Sequence, residues 1–190
     1  YFSLLWSFEQ TPNHAQGLSL LVGVVVVEAL KKLNLGVSFQ LKWPNDIFVN
    51  NEKLAGILVE SRSKGSSLAQ TVIGVGLNVN MDKQTSHPVS QAWTSLAALS
   101  GKPLDRNLIA AYLIDAFVQN FECYRDRGFG FFKTRFDQYD MTLNKPITVT
   151  HLDKTQQGIG KGIDDEGCLT FQTAQGEIQT IRSGRVSLNR

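Results

Sequence analysis

A chain of 190 residues, 42% hydrophobic and 19% charged, has ordinary globular composition, with enough length for one substantial core and a small second unit. Its net charge of +2 gives no dense basic stripe, so no nucleic-acid partner is expected from this chain. The longest apolar run, 18–30, is interrupted by Ser19, Gly23 and Glu28, which excludes a membrane span there, and no signal peptide is visible.

Residues 1–8 are rich in aromatic and apolar side chains and predict a buried strand. A chain that opens on Tyr1 inside such a strand predicts further residues ahead of it. Thr11, Pro12 and Asn13 predict a turn or helix start. A helix follows to about Leu33, with Lys31 and Lys32 in its last turn, where cations complement the dipole. The β-branched run 24–27 also suits a strand, but the length of the segment and its flanking signals favour helix.

Residues 37–42 alternate as a strand does, with Val37, Phe39 and Leu41 on one side and Ser38, Gln40 and Lys42 on the other. Pro44 stops it. Residues 47–49 predict a strand, Asn50, Asn51 and Glu52 a hairpin turn, and residues 54–61 the return strand. A polar turn at 63–67 precedes a strand at 68–78 that contains Gly74 and Gly76. Strands joined by such tight turns imply an antiparallel or mixed sheet and not a doubly wound parallel one.

Residues 81–89 predict a loop and 90–100 a short helix ending at Gly101. Asp105 caps a longer helix to about Arg127, with Leu108, Ala111, Tyr112, Ile114, Phe117, Val118 and Phe121 expected on its apolar side. A further amphipathic helix is expected at 129–139. Beyond Asn144 the texture changes to short strands, at 147–151, 158–163, 168–172 and 177–181, separated by polar and Gly-containing turns. That pattern predicts a small all-β unit, read as an SH3-like β-barrel. The division is a first unit at 1–141 and a second at 142–190. The two cysteines, Cys123 and Cys168, form no C-x-x-C pair and read as reduced thiols of a cytoplasmic protein.

Three segments carry candidate chemistry. Lys42-Trp43-Pro44-Asn45-Asp46 ends one strand and holds an amide and a carboxylate at the sheet edge. An amide donates to phosphate oxygens, and a carboxylate holds Mg²⁺ or accepts from a substrate N–H. Taken alone, the segment reads as a turn. Lys53-Leu54-Ala55-Gly56-Ile57-Leu58-Val59-Glu60 opens at a hairpin mouth. Gly56 inside its strand marks a bulge or the close approach of a ligand, while Lys53 alone reads as a solvated turn lysine. In Gly74-Val75-Gly76-Leu77-Asn78 the two glycines share one face. They leave a flat patch for a planar ring or, equally, room for close packing. The spacing is not that of a phosphate-binding loop. His14, His87 and His151 show no metal spacing.

In this order and spacing, the three segments together closely resemble the catalytic domain of the biotin protein ligases. The resemblance continues through Trp93 and the Asp105-Arg106-Asn107 helix start into the C-terminal β unit. It implies an α+β catalytic fold, a mixed or antiparallel sheet with packed helices like that of class II aminoacyl-tRNA synthetases. The activity implied is that of a biotin–protein ligase. Biotin and MgATP give biotinyl-5′-AMP, and the biotinyl group then passes to a lysine of a biotin carboxyl carrier protein domain, typically of acetyl-CoA carboxylase. Lys53 matches the lysine between the biotin carboxylate and the α-phosphate. Gly56, Leu58 and Tyr1 match the biotin side. Asn45, Asp46, Gly74, Gly76, Asn78 and Trp93 match the nucleotide side, Asp46 also as a Mg²⁺ ligand, and Arg182 matches a C-terminal arginine at the nucleotide. The family's Gly/Arg-rich loop and the Ser/Thr pair and Gln that hold the biotin ring have no counterpart in this chain, nor does the N-terminal DNA-binding domain of some members. The alternatives are a non-catalytic binding or assembly module of such a ligase and a lipoate ligase relative. The strand at 37–43 is expected to pair edge to edge with a second copy or with the carrier domain.

Overall fold

The computed structural model describes residues 1–8, 15–64, 68–82, 91–152 and 154–189. The turn at Thr11-Pro12-Asn13, residues 65–67 of the turn at 63–67 and most of the loop at 81–89 lie outside them, as do His14 and His87.

The first unit is built on a five-stranded sheet. Its strands are β1 (Phe2–Phe8), β2 (Phe39–Lys42), β3 (Asp46–Val49), β4 (Glu52–Lys64) and β5 (Leu68–Leu77). They pair in the order β1-β5-β4-β3-β2, every ladder antiparallel. The β3–β4 hairpin turns on Asn50 and Asn51, both at positive φ (51° and 63°). Two left-handed residues make the turn twist with the strands it joins, and asparagine tolerates that conformation better than most residues.

One face of the sheet carries the core. Phe2, Leu4, Trp6 and Phe8 alternate with the exposed Ser3, Leu5 and Ser7 along β1. Trp6 meets Phe121 edge-on at 5.1 Å, and Phe2 stacks on Phe117 at 5.9 Å. Both phenylalanines come from α3 (Arg106–Arg127), which Asp105 caps by accepting from the Asn107 N–H. α1 (Ala15–Lys31) packs against β2, β3 and β4 of this sheet and against α3 and α4. Its run from Leu20 to Val27 is buried throughout, and Gly23 lets it approach Leu41 of β2 closely. A helix hydrophobic all round belongs inside a core, and burial on all sides overrides the strand preference of residues 24–27. Phe132 and Phe136 of α4 (Gly130–Asp137) complete the aromatic core.

Three expectations are corrected. Of the residues expected on the apolar side of α3, Phe117 and Phe121 are buried, joined by Ile109, Leu113 and Tyr124, whereas Leu108, Ile114 and Val118 are exposed. The helix expected at 90–100 is only α2 (Leu96–Ser100), capped by Ser95, because the segment before it runs extended alongside Lys53. The β2 edge is not fully open: the Leu41 N–H donates to the Tyr139 carbonyl (2.7 Å), and the Leu41 carbonyl accepts from the Met141 N–H (3.0 Å). The segment after α4 thus covers part of the edge expected to pair with another molecule.

The second unit is also antiparallel, with β6 (Pro146–His151), β7 (Lys154–Ile163), β8 (Leu169–Thr173), β9 (Ile178–Ile181) and β10 (Arg185–Leu188) in the order β10-β6-β7-β8-β9. β10 lies outside the four expected strands. It folds back onto β6 and not onto β9, so among the described residues the sheet is open and does not close into the SH3-like barrel. No helix among the described residues is long and apolar enough to cross a membrane.

Candidate active site

The candidate residues converge where the ends of β3, β4 and β5 meet. Pairing of β3 with β4 sets Asp46 opposite Gly56, and pairing of β4 with β5 sets Gly56 opposite Gly76. A side chain on Gly56 would stand 3.4 Å from the Lys53 Cε and Nζ. The glycine therefore makes room for Lys53 to fold back across the strand. There the lysine Nζ meets the Asp46 Oδ1 at 2.6 Å. Lys42 approaches the other oxygen of the same carboxylate, Nζ to Oδ2, at 3.4 Å. The Asp46 side chain is only 14% exposed, against 32% for Lys53. One largely buried carboxylate thus holds two ammonium groups, of which Lys53 is the more open to solvent.

Lys53 is also anchored through its backbone. Its N–H donates to the Ala92 carbonyl (2.9 Å), and its carbonyl accepts from the Thr94 N–H (3.0 Å). These bonds form a short parallel bridge that fixes Trp93 beside Lys53. Asn78 ties the same segment to the sheet: its side-chain N–H donates to the Thr94 carbonyl at 3.0 Å, and its own carbonyl accepts from the Leu96 N–H at 2.9 Å. Asn45 has a structural task as well. Its side-chain N–H donates to the Ile57 carbonyl (2.8 Å), leaving one donor of the amide for any other partner.

Gly74 and Gly76 bare the outer face of β5. The nearest neighbour of a side chain at Gly74 would be Leu58, at 3.8 Å, and at Gly76 it would be the Tyr1 ring, at 3.6 Å. Leu58 itself is 60% exposed. Beside Gly76 opens a cleft of about 780 Å³ lined by Tyr1, Lys53, Gly76, Asn78, Arg106 and Leu113, among others. A cleft of this size, lined by both apolar and polar groups, suits a small-molecule ligand.

The structure therefore brings Tyr1, Lys53, Gly56, Gly74, Gly76, Asn78 and Trp93 together, with Asn45 and Asp46 behind Lys53. It does not bring Arg182 to them. Arg182 lies after β9 in the second unit, 74% exposed, and pairs with Glu166 at 2.9 Å. Asp46 also fits a metal role poorly. Both its oxygens face ammonium groups, and among the described residues no three His, Cys, Asp or Glu side chains gather around one point. Sequence reasoning missed Arg106 as a cleft residue and Lys42 as the second cation on Asp46. The spacing of Lys42 and Asp46 four apart was visible, but only the turn between β2 and β3 makes them neighbours.

Comparison with known proteins gives the site a context. Residues 1–78 match the biotin/lipoate A/B protein ligase family and residues 142–189 the biotin protein ligase C-terminal domain. The chain is 38% identical over 188 residues to the bifunctional ligase/repressor BirA of Escherichia coli K12, covering 99% of this chain and 58% of that protein. It is 31% identical to the Bacillus subtilis protein of the same name, covering 95% of this chain and 54% of the relative. It thus spans less than two thirds of the length of these relatives. Among solved structures it resembles the biotin protein ligase from Aquifex aeolicus, with a TM-score of 0.77 and 26% identity, over 98% of this chain and 83% of that one. The Aquifex ligase in complex with biotin and ATP superposes with a TM-score of 0.76 at 25% identity, over 99% and 78%.

Proposed function

The chain belongs to the biotin protein ligase family, and on that premise we propose that it forms the adenylation site of an ATP-dependent biotin–protein ligase. Residues 1–141 serve as the catalytic unit and residues 142–190 as a C-terminal unit that braces it. The observation that carries this reading is the Lys53–Asp46 pair, set across Gly56 at the mouth of a cleft of nucleotide size.

In the first step a biotin carboxylate oxygen bonds to the α-phosphorus of ATP and pyrophosphate leaves. In the second, the ε-amine of a carrier-domain lysine attacks the acyl carbon of biotinyl-5′-AMP. An amide forms, AMP leaves, and the amine loses a proton. Both steps build negative charge, first on the phosphoryl oxygens and then on the acyl oxygen. A fixed cation aimed at that charge lowers the barrier without reorganising when the charge appears. Lys53 supplies this cation. Asp46 holds the ammonium in place, and Gly56 leaves it the space to reach forward.

On the nucleotide side, the glycine-bared strand, Asn78 and Trp93 provide a flat surface and an aromatic ring for the adenosine. Beside the same glycines, Leu58 and Tyr1 adjoin the biotin together with Gly56. The Mg²⁺ of MgATP arrives with the nucleotide, and no step here depends on a protein carboxylate holding it. The carrier domain docks near the strand at 37–43, outside Leu41, whose backbone groups are already bonded to the segment after α4. The test is biotin-dependent exchange of pyrophosphate into ATP, followed by transfer to a carrier domain. Exchange that requires biotin and is lost in Lys53→Ala supports the reading. Exchange supported equally by lipoate favours a lipoate ligase.

A further inference from the structure

The cleft beside Lys53 holds a second cation that the adenylation chemistry described above leaves without a task. Arg106 is the first residue of α3 and lines the same cavity as Lys53 and Gly76. Lys53 is committed to Asp46 at 2.6 Å. Arg106 has no ion-pair or hydrogen-bond partner for its guanidinium among the described residues. The carboxylate next to it, Asp105, forms no ion pair with it; that side chain accepts from the Asn107 N–H at 2.8 Å. The wall continuing from Arg106 is apolar, formed by Ile109 and Leu113. One cavity therefore has a fixed cation on the sheet side and an uncommitted, solvent-open one on the helix side.

Resting on the adenylation reading, we propose that Arg106 binds the terminal phosphates of ATP, the β and γ groups that leave as pyrophosphate, while Lys53 serves the reacting α-phosphate. The two cations differ in a way that matches this division. The reacting centre needs a charge held still, and Lys53 is pinned by a largely buried carboxylate. The leaving group needs a partner that follows it to solvent, and Arg106 stands exposed on the cleft wall. As the carboxylate oxygen bonds to the α-phosphorus, the bridging P–O bond breaks and its electron pair goes to the departing pyrophosphate. Arg106 donates to that growing charge. A planar guanidinium offers two parallel N–H groups to two phosphate oxygens, which an ammonium does not.

The test is calorimetric titration of the protein with ATP, AMP and inorganic tripolyphosphate, repeated with Arg106→Ala and Arg106→Lys. Arg106→Ala is expected to weaken ATP and tripolyphosphate binding on the order of tenfold or more, as for loss of a charged hydrogen bond, and to leave AMP binding within about twofold. Arg106→Lys is expected to restore only part of the ATP affinity. Both variants are expected to melt as the parent does, since the side chain is exposed and unpaired. Unchanged ATP binding in Arg106→Ala, or equal losses for AMP and ATP, would overturn the assignment. If the parent binds tripolyphosphate through Arg106 but shows no biotin-dependent pyrophosphate exchange, the adenylation reading fails and the anion site stands. If the parent binds none of the three, both fail.

Discussion

At the scale of single residues, the Lys53–Asp46 pair should behave as a unit. Lys53→Ala is expected to slow biotinyl-adenylate formation on the order of a hundredfold, the usual cost of removing one preorganised donor. Its effect on stability should stay below about 1 kcal/mol, because the pair is partly exposed and Lys42 remains on the carboxylate. If Asp46 acts by positioning Lys53, Asp46→Asn adds little once Lys53 is gone. Single-turnover rates for the two single variants and the double variant measure this, and additive losses would show that the residues work separately. Asp140 offers a test by pH. Burial pushes its carboxyl above the usual carboxylate range, against the opposing hydrogen bonds from Thr142. A carboxyl whose pKa is raised by folding contributes most to stability below its unfolded value of about 4 and less as pH rises through its folded value. Asp140→Asn keeps an acceptor for Thr142 and removes the charge. It is expected to raise the melting temperature relative to the parent at pH 7, an advantage that fades as the pH falls through the folded value and is gone below about 4. Melts across that range check the sign.

At the scale of elements, α3 shows how a helix is legible in existence but not in rotation. The cap at Asp105 and the length to Arg127 follow from sequence. The apolar residues, however, run round most of its circumference, so their spacing does not single out one face. The face is chosen by partners distant in sequence, the rings of β1 that receive Phe117 and Phe121. Adjacent residues should therefore differ sharply in cost. Phe117→Ala is expected to destabilise by about 3–5 kcal/mol, and Val118→Ala by no more than about 0.5 kcal/mol beyond helix propensity. Denaturant titration of the two variants checks this, and similar losses would place the face wrongly. The glycines of β5 answer to the same reasoning in reverse. Gly76→Val adds a side chain where the Tyr1 ring already stands within 3.6 Å of the built Cβ. It is expected to impair nucleotide binding more than folding, measured by titration and melting of one sample.

At the scale of the whole molecule, the second unit reaches directly into the first. The indole N–H of Trp43, fully buried, donates to the Gly167 carbonyl at 3.0 Å, across 124 residues of sequence. Gly167 sits at φ +83°, and a side chain there would meet Leu20 at 3.0 Å and the Gly17 backbone at 3.1 Å. Asp164 builds this turn by accepting from the Glu166 and Cys168 N–H groups. Trp43 in turn precedes Pro44, Asn45 and Asp46, so the turn of one unit holds the base of the other's site. Trp43→Phe fills most of the same space but strands the Gly167 carbonyl. The expected cost is about 1–3 kcal/mol of stability. Gly167→Ala is expected to be at least as costly, since it combines left-handed backbone with close contact. Urea unfolding of both variants is the measurement, and an unaltered midpoint in both would mean the two units are not coupled here.

The order of strands and helices, the hairpin at Asn50-Asn51, the caps and the three motif segments were legible in the sequence, because each rests on interactions within a few residues. So was the family, since Lys42 to Asp46, Lys53 to Glu60 and Gly74 to Asn78 are contiguous segments whose order and spacing resemble it, and all lie within the matched residues 1–78. What only tertiary structure decided were the contacts between distant segments: which face of α3 is buried, which strand β10 joins, and how far the β2 edge is covered. It also decided that Asp46 is bound by two lysines, that Arg182 lies away from the cleft, and that Arg106 lines it. Each of these depends on where one element lies against another, and local spacing carries no information about that.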